Sequence, residues 1–349
     1  MTDTASGAVD LVATVAFTPV WSVGLADHVT AVAWAPDGNA VAAASAGGDT
    51  LIVDTATGEV TARADGHPLG VLDIGWSPDG RRLAVGGQDG RLSIYDRSTG
   101  TETHIDISGW VAVVAWSPGG RHLAVAAGNT VVTVDTDGSV THTYGPLPST
   151  VTSLAWEPKG RRVAAGFYGG VNWYEPGRPE HRAVEAHKWK GSVLAVAVSA
   201  DGRWLAAGNQ DRSVQIWRIG KSTHLEMPGY PAKIDQIAFD PTGRHLAVGS
   251  VGFTTVWDCA GKGPEGSTPG MLEGNPRRVA ALDWAHHHPV LTTGDPAGLL
   301  AHWAPTTSLR PVGVAHVGDP VTAVKWDPSD NGIAVGTAAG QLHYLPPLP

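Results

Sequence analysis

One order of apolar and polar positions returns along the whole chain. In residues 71–100 the first strand, VLDIGW, carries large or apolar side chains on both alternating faces, as a strand packed between two neighbouring sheets does. It ends in Ser77-Pro78-Asp79-Gly80, where the proline presets φ at the second turn position and the glycine tolerates positive φ. A second apolar strand follows over 82–86, a tight Gln88-Asp89-Gly90 turn leads to a third over 91–95, and the stretch after Gly100 supplies a fourth. The same grammar restarts at Val29, Val111, Val151, Val193, Ile234, Val279 and Val321. Small residues, among them Ala31, Ala33, Ala155, Ala195 and Ala238, fall in these first strands.

The first strands close on Trp34, Trp76, Trp116, Trp156, Val198, Phe239, Trp284 and Trp326. Their seven intervals average about 42 residues, inside the range of roughly 40–45 for a four-stranded propeller blade. The spacing therefore predicts an all-β chain of one domain, residues 1–349, folded as a single closed eight-bladed β-propeller of four-stranded antiparallel blades. Seven blades is the alternative, with one weak unit as an insertion; the weakest is 279–307, whose turn is rich in histidine. The last unit stops after its third strand, 341–345, while residues 9–25 precede the first complete unit and hold two strand-like segments, 11–17 and 20–25. A strand from this N-terminal closure segment is expected to complete the last blade and so remove both sheet edges. Segment 20–25 is preferred because it stands before Asp27-His28 as 59–64 stands before Gly66-His67. Segment 11–17 is left as a second edge strand or a lead-in, and residues 1–8 read as disordered.

Composition changes the picture in three ways. Charged residues make up 16% of the chain against a usual share of about 25%, which fits many strands buried on both faces. A net charge of −9 leaves no overall electrostatic footprint for nucleic acid or an anionic membrane. The first ten residues lack Lys, Arg and a signal-like apolar run, no stretch reaches membrane-spanning length, and the lone Cys259 fits a reducing compartment. The expectation is a cytoplasmic monomer.

The units resemble the WD-repeat family of β-propellers in degenerate form. Gly66-His67, Ser77-Pro78-Asp79-Gly80, Asp89-Gly90 and Tyr95-Asp96 carry the resemblance, with Trp257-Asp258 giving the family dipeptide once. Other copies read Val53-Asp54, Val134-Asp135, Trp217-Arg218 and Trp303-Ala304. The resemblance implies a structural brace of a His before the first strand, an Asp in the turn between second and third strands and an aromatic on the third. By position His67, Asp89 and Tyr95 match it, as do His187, Asp211 and Trp217; His316 and Tyr344 match in part, with Ala338 or Ala339 where the Asp would stand. A His and an Asp could also be part of a catalytic triad, but the pairs recur with blade periodicity and no nucleophile accompanies them.

Catalytic signatures are otherwise missing from the sequence. There is no phosphate-cradling loop ending in Gly-Lys-Ser/Thr, no nucleophile elbow, no His-Glu-x-x-His and no paired cysteines. The reading is therefore a protein that is not an enzyme and needs no cofactor. His286-His287-His288 is the one weak candidate for a metal, since neutral imidazole is a good ligand for Zn²⁺ or Ni²⁺; a solvated turn is the alternative.

Binding residues should gather in exposed loops. In the WD-repeat family the usual partner face is made by loops leading into first strands and loops joining second to third strands. On this chain they hold Trp110, Phe167, Tyr168, Lys188, Trp189, Lys190, Tyr230, Phe253, Arg277 and Arg278, residue types enriched in interface hot spots. The first functional hypothesis is an interaction scaffold that binds a partner protein or peptide on these ring-top loops, the lysines and arginines favouring an acidic or phosphorylated segment. The second is a ring whose axial channel holds a small ligand or metal as a carrier or sensor, with an enzyme or an enzyme accessory subunit behind it.

Overall fold

A computed structural model describes residues 14–15, 18–64, 66–178 and 182–347. The expected disorder of 1–8, and most of segment 11–17, lie outside these residues. Every regular element is a strand, and the strands pair in chain order into antiparallel sheets. The repeat built from Val71–Trp76, Arg82–Gly87, Arg91–Asp96 and Thr101–Asp106 is typical: each strand pairs only with the next, and the outermost pairs through all six of its residues.

Hydrogen bonding gathers the described strands into seven sheets, five of four strands, one of five and one of six. The eight separate sheets expected from the repeat count are corrected on this point. No unit has become an insertion; even the histidine-rich one forms a regular sheet from Ala281–Trp284, Leu291–Gly294, Leu299–Trp303 and Pro311–His316. The lost sheet is a fusion. Two long strands, Val163–Tyr174 and Glu185–Val198, each do the work of two: the first pairs with Ser153–Trp156 and then with Glu185–Val198, and the second goes on to pair with Trp204–Asn209.

Packing follows the repeats. The innermost strands Val29–Trp34, Val71–Trp76, Val111–Trp116, Ser153–Trp156, the latter half of Glu185–Val198, Gln236–Phe239, Ala281–Trp284 and Val321–Trp326 touch in that order, and the last touches the first. The apolar core is divided between successive repeats. One cluster joins Val71, Ile74 and Leu83 to Ala42 and Ile52 of the repeat before; another joins Val193, Val196 and Leu205 to Ala164, Val171 and Trp173, inside the six-stranded sheet itself. That sheet therefore folds over on its own two halves.

Four of the landmark tryptophans tie their repeats to the ones before. The Nε1 of Trp116 donates to the Gly75 carbonyl at 3.0 Å, that of Trp156 to Ala115 at 2.8 Å and that of Trp284 to Ala238 at 3.2 Å. Trp34 makes the same bond to Lys325 at 3.0 Å, which joins the first repeat to the last. The N-terminal strand completes the closure: Trp21–Gly24 pairs antiparallel with Gln341–Leu345, flanked by the Val20 amide on the Tyr344 carbonyl and the Leu25 amide on the Gly340 carbonyl. Thr14–Val15 adds a short parallel edge to Pro311–His316. The first two described strands thus join the sheets of the last two repeats. No described helix is long and apolar enough to cross a membrane.

Candidate functional site

The fusion also opens the most promising site. In a regular repeat the second and third strands part at a tight turn outside the ladder; here the turn Tyr168-Gly169-Gly170 is itself in the ladder, Tyr168 facing Ser192 and Gly170 facing Lys188. Gly170 makes this possible: its φ is +133°, and a Cβ there would overlap the His187 carbonyl. The facing strand begins at Glu185, and its outer half reads Glu185, His187 and Trp189 half-buried and Ala186, Lys188 and Lys190 exposed. Between this strand and its surroundings lies a groove of about 790 Å³ lined by Phe167, Asn172, His187, Lys188, Trp189, Lys190 and Glu226 among others. That volume is in the range of roughly 300–1,000 Å³ usual for ligand sites.

A stack of rings supports the groove floor. His187 lies on Trp217 with centroids 5.0 Å apart, Trp217 lies on His224 at 5.1 Å, and Trp189 meets His224 edge-on at 6.4 Å. Burial pushes the His187 imidazole below its ordinary value, opposed by Glu185, whose carboxylate stands 3.3 Å from Nε2. The buried Nε1 of Trp189 has no hydrogen-bond acceptor, and neither Lys188 nor Lys190 has an ion-pair partner among the described residues. The groove therefore offers an aromatic wall and two cations with no ion-pair partner among the described residues.

The structure brings Phe167, Lys188, Trp189 and Lys190 together and scatters the other sequence candidates. Tyr168 stands beside the groove, 54% exposed, and Trp110 is 62% exposed on the loop into Val111–Trp116. Tyr230 is drawn inward: its hydroxyl meets Thr255 Oγ1 at 2.9 Å and accepts from Trp257 Nε1 at 3.0 Å, leaving it no surface to offer. Phe253 packs against that core. Arg278 is held by Asp235 at 2.6 Å, while Arg277 stays exposed. Of the residues expected on the ring-top surface, Phe167, Lys188, Trp189 and Lys190 line one groove, and Trp110 and Arg277 lie outside that lining.

Of the braces, the His67–Asp89 pair is present. His67 is fully buried and its Nδ1 stands 2.9 Å from Asp89 Oδ1; Tyr95 is buried in the neighbouring core. The second is corrected: Asp211 accepts from Ser213 Oγ at 2.6 Å and does not bond His187. His316 and Tyr344 are not joined either, since Tyr344 donates to Asp327 at 3.0 Å and His316 accepts from the Gly318 amide at 3.2 Å. The three-histidine turn is exposed, with its amides at His286 and His287 donated to Asp330, each at 2.7 Å. Their rings lie 6.5 Å apart and tilted by 57°, so they do not converge on a common point.

The innermost strands carry small side chains and three charged ones, Asp73, Asp283 and Lys325. Lys325 Nζ is 3.4 Å from Asp283 Oδ1, whose charge holds the ammonium above its ordinary value. Asp283 also accepts the Trp326 amide, and Asp73 accepts the Val114 amide, both at 2.9 Å, so these carboxylates sew neighbouring repeats together. Burial pushes Asp73 up to about 6. The Cys259 thiol is buried and pushed up to about 12, which rules it out as a ready nucleophile.

The WD domain, G-beta repeat, matches residues 17–53, 58–96 and 178–218. The chain carries WD repeats on a β-propeller. THO complex subunit 3 of Arabidopsis thaliana is 33% identical over 84 residues, covering 22% of this chain and 26% of that protein. The periodic tryptophan protein 2 homolog of Schizosaccharomyces pombe is 30% identical over 87 residues, covering 24% of this chain and 10% of that protein. The matched stretches are thus a small part of these relatives. Among solved structures, Sqt1 of Chaetomium thermophilum bound to the N-terminus of the ribosomal protein L10 superposes with a TM-score of 0.78 at 18% identity, covering 92% of this chain and 97% of that one. The computationally designed Ika8 protein gives 0.78 at 20% identity, covering 93% and 98%. At such identities the likeness is one of fold.

Proposed function

We propose that this WD-repeat ring is a non-catalytic interaction scaffold that holds a partner peptide or protein segment in the groove between Val163–Tyr174 and Glu185–Val198. The observation that carries the reading is the pairing of an aromatic wall, Phe167 and Trp189, with Lys188 and Lys190, which have no ion-pair partner among the described residues. Such a site suits an extended segment that lays an apolar side chain on the aromatic wall and supplies a carboxylate to the lysines. Peptide capture by the Sqt1 ring, of the same fold, supports the general mode. We also read the ring as eight four-stranded units, two of them fused into the six-stranded sheet, because eight apolar clusters separate successive units.

The test is affinity capture with the wild-type chain and with Trp189→Ala and Lys188→Glu variants, followed by titration of the purified partner. Both variants should keep their melting temperature and bind the partner at least about tenfold more weakly, about 1.4 kcal/mol. Wild-type affinity in both would remove the groove from the partner site.

A further inference from the structure

The turns between first and second strands obey one rule that two of them break. A carboxylate caps backbone amides in six of the eight. Asp37 accepts from Asn39 at 3.1 Å, Asp79 from Arg81 at 3.1 Å, Asp201 from Arg203 at 2.9 Å and Asp240 from Arg244 at 2.8 Å. Asp327 accepts from Ser329 at 2.7 Å, and Asp330 reaches across to the histidine turn. In the two consecutive turns at Ser117-Pro118-Gly119-Gly120 and Glu157-Pro158-Lys159-Gly160 the third position, held by the capping Asp in the turns of Asp37, Asp79 and Asp201, is Gly119 and Lys159. The amides of Arg121 and Arg161, which correspond to the capped ones, have no acceptor among the described residues. Glu157 does not substitute, because its carboxylate is taken by the side chains of Arg162 at 3.1 Å and Arg161 at 3.6 Å.

These two turns share a cavity of about 370 Å³ lined by Arg121, His122, Lys159, Gly160, Arg161 and Glu175 among others. They are in register, since a Cβ on Gly160 would stand 3.4 Å from the ring of Pro118. Arg121 and Lys159 are exposed and have no ion-pair partner among the described residues, whereas Glu175 is already engaged by Arg178 at 2.8 Å. A buried nitrogen of His122, Nδ1, also has no partner. In a chain of net charge −9 this is a concentrated basic site, and it lies at the end of the innermost strands opposite the loops that lead into them.

We propose that this cavity binds a phosphate group, whose oxygens take the place of the missing turn carboxylates. Two unpaired cations match a dianion in charge, and the idle amides supply directed donors, the combination that makes charge-assisted hydrogen bonds short and strong. The phosphate could come from a phosphorylated side chain of a partner or from a free phosphate ion; the chemistry recognised is the same.

The experiment titrates inorganic phosphate, and separately O-phosphoserine, into the full chain and into Arg121→Gln, Gly119→Asp and Lys159→Asp variants, read by calorimetry with amide NMR shifts as the second readout. The two aspartates restore the cap found in the other repeats, and Gly119 has open space around its Cβ position, so the variants should fold with a melting temperature no lower than wild type. Inorganic phosphate should saturate the wild type with Kd on the order of millimolar, shift the Arg121 and Arg161 amides, and bind each variant at least about tenfold more weakly. Tighter binding of O-phosphoserine than of phosphate assigns the carried form, and equal or weaker binding assigns the free ion; both support the site. Failure to saturate the wild type, or wild-type affinity in the two aspartate variants, would overturn it.

Discussion

The repeat at 71–106 and the fused pair at 153–227 start from the same sequence grammar and end in different structures. In the first, a tight turn at Asp89-Gly90 separates second from third strand, and Asp89 holds the fully buried His67 at 2.9 Å. In the second, the hairpin turn at Tyr168-Gly169-Gly170 also pairs with the strand that follows, that outer strand is continuous with the next innermost strand, and His187 stacks on Trp217 instead of meeting Asp211. In the regular repeat Asp89 also takes the Arg91 amide at 3.2 Å. In the fused pair Lys188 and Lys190 have no ion-pair partner among the described residues and line a groove of about 790 Å³. The difference teaches that losing the His–Asp contact in one repeat redirects its histidine to ring stacking and leaves nearby cations at the surface.

The comparison can be broken most sharply at its hinge. Gly170→Ala should destabilise the fold by roughly 3 kcal/mol or more in urea unfolding, because the new Cβ strikes the His187 carbonyl at a φ that disfavours a side chain. A loss within about 0.5 kcal/mol would mean this turn is not what holds the long strands together.

Next in size is the contrast between the two His/Asp pairs. Asp89→Ala strands a buried imidazole and should cost about 2 kcal/mol, whereas Asp211→Ala, at an exposed residue bonded only to Ser213, should cost under about 0.5 kcal/mol. Equal losses would restore a brace at Asp211.

The smallest effect is one of pH. Burial lowers the His187 imidazole from its ordinary value of 6.5, so above that value it is neutral whether the chain is folded or not, and its share of stability is fully present. As the pH falls below 6.5 the unfolded chain takes up a proton that the folded chain resists, and that share is lost. His187→Phe keeps a ring on Trp217 and removes the titration, so the variant should gain stability relative to wild type between about pH 7 and pH 5. A gap that stays constant with pH would place His187 in a solvated setting.

Much of the fold is legible in the sequence because it is written in local terms. Pro78 and Gly80 fix a turn through their own φ preferences, the landmark tryptophans recur at fixed intervals, and segment 20–25 stands where an outer strand belongs, as the Trp21–Gly24 pairing bears out. The fusion is not local. Tyr168-Gly169-Gly170 has the composition of a turn, and only its pairing with Lys188 and Ser192 of the following strand decides that the turn joins the ladder. The offset of the histidine was a usable signal: His67 stands four residues before Val71, but His187 stands six before Val193, and the extra length keeps it in the outer ladder. Tyr230 shows the limit for single candidates, since an aromatic in a loop can find its hydroxyl partners inside, here Thr255 and Trp257. The two uncapped turns were also visible as Gly119 and Lys159 in place of Asp, though their meaning depends on knowing that the other turns use the carboxylate.

The central claim is that the partner sits in the groove. Site-specific photo-crosslinking tests it directly, with p-benzoylphenylalanine in place of Trp189 in one variant and in place of the more exposed Trp110 in another. The account predicts a partner adduct from position 189 and none from position 110. An adduct from 110 with none from 189 would contradict it.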